Sequence, residues 1–289
     1  MKYIVFLVSF VIICCTQQPK KLVVASKNFT EQVILGELMA QYLEQKLSVR
    51  VDRKLNLGGT FICHKALEAG EIDLYVEYTG TAYTAILHKE PKSDPDAVLE
   101  ETRSAYRSEF DAEWTAPLGF NNTFAMIIRS EDARNLGIRT ISDCARFTPG
   151  WKAGFGYEFI ERKDGFPGLA TTYGLKFAAQ PTVMDLNLIY KAAAEKQVDF
   201  IAGDSTNGMI PKFNLFVLED DKKYFPPYEA APVVRRLSLE RFDGLEEALN
   251  ALGGKITEPQ MRQMNYAVDV EQRDVKQVVA EFLKKLATT

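Results

Sequence analysis

The spacing of apolar residues changes period repeatedly along this chain. KLVVAS, Lys21 to Ser26, is a short apolar run with β-branched residues and predicts a parallel strand. In NFTEQVILGELMAQYLEQKL the period lengthens: Val33, Ile34, Leu38, Met39, Tyr42 and Leu43 recur at helical spacing, with Thr30 placed to cap the helix. VRVDRKLN then reads as strand, GGTFICHKALEAG as helix and IDLYVEYT as strand. Such βαβαβ alternation predicts a parallel sheet covered by helices, with ligands bound where strands end at their carboxyl termini. Ser26-Lys27-Asn28, Leu57-Gly58-Gly59-Thr60 and Tyr78-Thr79-Gly80-Thr81 all fall at such ends, so three loops are expected to line one crevice.

A helical stretch near Pro95 to Phe110 follows, and then APLGFNNTFAMIIRS breaks the periodicity at Pro117, Gly119, Asn121 and Asn122 before FAMIIR resumes as strand. A second α/β set comes next, with WKAGFG and VDFIAGDST as strands and LATTYGL and MDLNLIYKAAAEKQ as helices. LEDDKKYFPPYEAAPVV reads as irregular, and helices are expected within Ser238 to Ala251, Glu258 to Tyr266 and Val270 to Leu286. Two irregular crossings, near Asn121 and near Tyr228, predict one lobe inserted within another. Two connections between lobes make a natural hinge.

One segment, GEIDLYVEYTGTAY from Gly70 to Tyr83, crowds tyrosines beside carboxylates and threonines. Half-buried strands alternate aromatic and polar residues in this way. Tyrosine rings beside carboxylates also make a receptor for a cation, because the ring face is negative and attracts positive charge most strongly where water is excluded. Periodicity leaves both readings open.

Composition narrows the classes. The chain has 289 residues, enough for about two ordinary domains, and with 46% hydrophobic and 26% charged residues it reads as globular. A net charge of -4 offers no basic surface for a phosphate backbone, so nucleic acid is not an expected partner. At the amino end, Met1-Lys2 precedes an apolar run from Tyr3 to Ile13, then Cys14-Cys15 and the polar TQQPKK. That run suits a signal-peptide core and is too short for a stable span. Residues 1–15 are therefore read as an export signal: either a lipoprotein signal, with Cys15 preferred over Cys14 as the lipidated residue, or an ordinary secretory signal ending near Cys15. Cys63 and Cys144 lack CxxC partners and are read as buried free thiols, and His64 and His88 are too few and scattered for a zinc site or catalytic dyad.

In order along the chain, SKNFTEQ, LGGT, GEIDLYVEYTGTA, GFNNTFAM, ERKDGFPGL, GDSTNG, LEDDKKYFPPYEAAPVVR and GKIT resemble the substrate-binding proteins of ABC importers for glycine betaine, choline and related quaternary amines. The resemblance runs from about Lys21 to about Leu286. It implies an α/β, two-lobed periplasmic-binding-protein (Venus flytrap, type II) fold, with residues 16–121 and 229–289 in the first lobe and 122–228 in the second. It also implies a cage of aromatic rings for a trimethylammonium group and basic and hydroxyl groups for a betaine carboxylate. A quaternary ammonium has no N–H to donate, so π-faces and negative potential must recognise it.

Carried onto this sequence, the resemblance places Tyr78, Phe124 and Tyr228 as cage rings, Phe124 standing where relatives commonly have tyrosine. Thr81, Lys27 and Arg162 are placed on the ligand carboxylate, a task the planar guanidinium suits. Asp204 occupies a fourth cage position where many betaine binders carry tyrosine, and a carboxylate there either attracts the cation directly or turns to solvent. Taken alone, Lys27 fits a solvated lysine, Arg162 an exposed ion pair, Tyr78 a core ring, and Asn121 and Asn122 turn residues. The expected protein is a monomeric, membrane-tethered receptor that passes glycine betaine, carnitine or choline to an ABC permease, without cofactor, metal or catalysis. Alternatives are another trimethylammonium zwitterion such as ergothioneine, or a sensory role; an enzymatic reading with Asp204 or Glu77 as base finds no nucleophile elbow or metal motif beside it. Binding is expected to alter tryptophan fluorescence where Trp114 or Trp151 lies near the hinge.

Overall fold

The computed structural model describes residues 21–288. The expected export signal and Cys15 lie outside the described residues. Among the described residues there are ten strands: β1 (Lys21–Lys27), β2 (Arg50–Gly58), β3 (Leu74–Tyr78), β4 (Ala112–Trp114), β5 (Phe124–Arg129), β6 (Ala153–Phe155), β7 (Thr182–Val183), β8 (Phe200–Asp204), β9 (Leu215–Val217) and β10 (Ala230–Arg235). They form two five-stranded sheets, ordered β2-β1-β3-β10-β4 and β7-β6-β8-β5-β9. In each, parallel strands (β1 with β2 and β3; β6 with β7 and β8) meet an antiparallel strand, β10 in the first sheet and β5 in the second.

Alternation along the strands explains how each sheet buries both faces. In β3, Leu74, Val76 and Tyr78 enter the core formed with helices Thr30–Leu47, Glu258–Asp269 and Val275–Leu286, whereas Tyr75 enters the core on the other face with Leu67, Tyr106 and Trp114. The second sheet repeats this in β5, with Met126 and Ile128 on one side and Ala125 and Ile127 on the other. Tyr75 and Tyr83 are buried, so much of the tyrosine-rich segment is scaffold. The free thiols Cys63 and Cys144 are buried as well.

The chain passes from the first sheet to the second between Trp114 and Phe124 and returns between Val217 and Ala230. The two passages touch at an Asn121–Glu229 bridge, and Asn121 Oδ1 accepts the Tyr228 N–H at 2.6 Å.

Several expectations are corrected. The end of LEDDKKYFPPYEAAPVV is no loop but β10, flanked by β3 and β4. A proline argues against a central strand, yet the Pro232 carbonyl points to Thr115 N at 3.1 Å, just past the end of the short β4. Its missing N–H therefore falls where no ladder continues. Phe29, not Thr30, occupies the cap position of the first helix, and the Thr30 hydroxyl is 2.5 Å from Asp269 Oδ1. The helix expected from Met184 contracts to Ile189–Ala194, which leaves 184–186 free to line the cleft. Gly244, at φ +75, divides the expected Ser238–Ala251 helix into Arg236–Arg241 and Leu245–Asn250.

Candidate functional site

Lys27, Gly58 and Tyr78 end β1, β2 and β3; Asp204 ends β8; Phe124 begins the antiparallel β5 opposite Asp204, and Tyr228 precedes the antiparallel β10. These ends converge on one cavity of about 380 Å³. Its wall includes all seven residues singled out from the sequence: Lys27, Tyr78, Thr81, Phe124, Arg162, Asp204 and Tyr228. Local chemistry permits the approach of the two sides. A side chain at Gly80 would meet the Pro227 carbonyl at 2.6 Å and the Tyr228 ring at 3.1 Å, so glycine in EYTGT is what lets Tyr228 lie against the end of β3.

The cavity is aromatic on several sides. Phe124 lies 5.7 Å from Tyr228 at 81°, 4.9 Å from Phe159 and 5.6 Å from Phe225, and Phe29 stacks on Tyr78 at 6.4 Å and 19°. The Tyr228 hydroxyl has no hydrogen-bond partner among the described residues. Burial pushes its pKa up, so it stays neutral.

The two basic residues are each matched to a carboxylate of the protein. Lys27 Nζ is 2.5 Å from Glu77 Oε1 and 3.3 Å from Thr60 Oγ1, and it sits 4.5 Å from the Tyr78 ring centroid. One face of Tyr78 is thus occupied by the protein's own cation. Arg162 grips Asp164 through Nε at 2.9 Å and Nη2 at 2.5 Å, leaving Nη1 without an acceptor among the described residues. Burial disfavours the guanidinium charge, but the hydrogen bonds and charge of Asp164 outweigh it and raise the Arg162 pKa. Burial likewise raises Asp164, and Arg162 outweighs it to hold the carboxyl below its usual range.

Asp204 is different. Its backbone N–H donates to the Tyr190 hydroxyl at 2.8 Å, but its carboxylate makes no hydrogen bond among the described residues. Enclosure by protein, then the charges of Glu31 and Asp269, push it up to about 7, and Lys27 opposes the shift. With Lys27 paired to Glu77 and Arg162 to Asp164, Asp204 joins Glu158 and Asp185 as wall acids without an ion pair among the described residues. The cavity carries negative potential suited to a cation.

Residues 20–285 match the family described as the substrate binding domain of the ABC-type glycine betaine transport system. The chain belongs to that family. Among relatives, an ergothioneine transport permease/ergothioneine binding protein of Helicobacter pylori (strain G27) is 36% identical over 270 residues, covering 93% of this chain and 48% of the relative. The chain thus spans about half the length of that protein. A glycine-betaine-binding protein of Pseudomonas aeruginosa is 34% identical over 278 residues, covering 93% of this chain and 88% of its own. A solved glycine betaine/carnitine/choline ABC transporter structure superposes with a TM-score of 0.74 at 30% identity, covering 91% of this chain and 98% of that one. The two-lobed α/β fold expected from the motifs is the fold of this family.

Reading the sequence missed several residues of this cavity and its surroundings. Phe29, Tyr157, Phe159, Glu158 and the 183–186 segment also line the cavity, and Asn122 lines it rather than serving only as a turn. Phe29 lies inside SKNFTEQ and Asp164 inside ERKDG, so both had a signal in the quoted motifs. Glu31 had one too: it accepts Tyr78 Oη at 2.6 Å, Asn122 Nδ2 at 2.8 Å, Asn265 Nδ2 at 2.9 Å and the Thr206 hydroxyl. Neither tryptophan lines the cavity. Trp114 ends β4, where the first passage between the sheets begins, and packs against Tyr106; Trp151 stacks on Phe147.

Proposed function

We propose that this chain is an extracytoplasmic receptor that binds a small quaternary amine and delivers it unaltered to an ABC importer in the membrane. The observation that carries the reading is the Asp204 carboxylate, without a hydrogen-bond donor among the described residues, set in a cavity walled by Tyr78, Phe124 and Tyr228. Ring faces and an unpaired carboxylate attract a cation that cannot donate hydrogen bonds; each ring contributes about 0.5–2 kcal/mol, more as water is excluded. Arg162 Nη1 and the Thr81 hydroxyl, both without partners among the described residues, are proposed to hold a ligand carboxylate, while Lys27 stays paired with Glu77. The lobes, taken to divide at 121/122 and 228/229, close over the ligand as a monomer.

Family membership supports this reading, and the cavity chemistry needs no reaction. Glycine betaine, carnitine and choline are the first ligands to test. Calorimetric titration of the full chain with each, followed by recovery of the ligand, decides: binding with chemically unchanged ligand is expected. No heat with any quaternary amine, or conversion of the ligand, overturns the proposal.

One observation favours a second cargo. A carboxylate pushed up to about 7 and lacking a donor suits a ligand bearing an N–H as well as a trimethylammonium. Ergothioneine has both, and a relative at 36% identity carries that compound in its name. Binding of ergothioneine at least tenfold tighter than glycine betaine, with the difference lost in Asp204→Ala, would select it.

A further inference from the structure

Two buried carboxylates repeat one arrangement on either side of the cavity. Glu31, on the helix packed against the first sheet, takes the Tyr78 hydroxyl of its own lobe at 2.6 Å and the hydroxyl of Thr206, which follows β8 of the second. Asp164, in the second lobe, holds Arg162 of that lobe through two bonds and lies 2.5 Å from the hydroxyl of Thr84, which follows β3 of the first. Each carboxylate anchors the cavity wall, Asp164 through Arg162 and Glu31 through Tyr78 and Asn122, and takes one hydroxyl from across the cleft. The lobes are in direct contact here: a Cβ at Gly59 would stand 2.2 Å from Glu158 Oε1.

We infer that Glu31 and Asp164 are positioning residues that couple closure of the lobes to assembly of the ligand site, with Thr206 and Thr84 as the cross-cleft halves of two latches. This rests on the closing-receptor reading above. A hydroxyl on one lobe reaches a carboxylate on the other only when the lobes are together. Opening strands no buried charge. Asp164 keeps its fork on Arg162, and Glu31 keeps Tyr78 and Asn265 of its own lobe. The Thr84 proton has a second acceptor within its own lobe, the Gly80 carbonyl at 2.7 Å, to which it transfers as the lobes part. Breaking the Thr84 latch therefore costs one charge-assisted hydrogen bond, and breaking the Thr206 latch costs one together with the Asn265 Nδ2 donation to the Thr206 carbonyl at 3.0 Å, few enough to be reversible. Closing it fixes the carboxylate that aims Arg162 or Tyr78 into the cavity.

The test uses the full chain carrying Thr84→Val, Thr206→Val or both, shape-conserving changes that remove only the hydroxyl, with Thr84→Ser and Thr206→Ser as rescues. Dissociation of glycine betaine, choline, carnitine and ergothioneine is followed by stopped flow. Each valine variant is expected to release bound ligand roughly tenfold faster, with association rate and melting temperature unchanged and serine restoring release. Unchanged release, or loss of melting temperature that serine does not restore, overturns the latch. If the unmodified chain binds none of these compounds, the function proposed above fails by itself. The latch is then judged by small-angle scattering without ligand: a larger radius of gyration in the valine variants supports it, and an unchanged radius overturns it.

Discussion

Lys27 Nζ lies 2.5 Å from Glu77 Oε1, and both side chains are almost wholly buried. The pair joins the end of β1 to β3 at the floor of the cavity and holds a cation on the Tyr78 ring. Removing one partner of a buried pair leaves the other uncompensated, whereas removing both can be nearly neutral. Lys27→Met is expected to cost about 3–5 kcal/mol in urea unfolding. Lys27→Met with Glu77→Gln should recover most of it. An additive double variant would show that the two side chains act independently.

Phe124 presents a ring to the cavity without a hydroxyl. Phe124→Leu keeps apolar bulk and removes the π-face, so affinity for a quaternary amine should fall about 2- to 30-fold. The neutral isostere 3,3-dimethylbutanol, offered against choline, should lose nothing comparable. Equal losses for both in titration calorimetry would mean that Phe124 acts by packing alone.

Arg162 offers only Nη1 to a ligand, since Asp164 takes Nε and Nη2. Arg162→Ala should abolish measurable binding of a zwitterion while sparing choline within a few-fold. It also leaves Asp164 with Thr84 as its remaining side-chain partner, so unfolding should show a loss of a few kcal/mol. Equal effects on zwitterion and choline would remove Arg162 from the carboxylate side.

Asp204 makes binding and stability depend on pH in opposite directions. Its folded pKa is raised from 3.8 to about 7. Between those values the folded chain holds a proton that the unfolded chain has released, so the Asp204 contribution to stability falls as pH rises, by no more than about 4 kcal/mol. The carboxylate that attracts a cation forms over the same interval, so choline affinity should rise from pH 6 to pH 8. Asp204→Asn should flatten both profiles, measured by urea unfolding and titration across that range. A choline affinity that keeps its pH dependence in Asp204→Asn would assign the titration to another group.

Recognition from the sequence succeeded where the signal was local. The strand that stops at EYTGT set Tyr78 and Thr81 beside a crevice, whereas Phe124 was reached only through the resemblance of GFNNTFAM to the family motif; all three line the cavity. β10 was not legible, because its partner β3 lies about 150 residues earlier, at a register that pairs Ala230 with Tyr78, and proline masks its period. The short β4, β7 and β9 are too brief to establish any period.

The sequence by itself determined the alternation of strands and helices, the aromatic and acidic residues available at the strand ends, and, through its ordered motifs, the family. Periodicity and turn chemistry are properties of neighbouring residues, so they survive in a one-dimensional reading. Tertiary structure decided which charges remain uncompensated. Lys27 finds Glu77 fifty positions away, Glu31 finds Thr206 and Asn265 still farther along, and the Asp204 carboxylate finds no donor among the described residues. Electrostatic character depends on distances through space and on the exclusion of water, and only the folded chain sets either one.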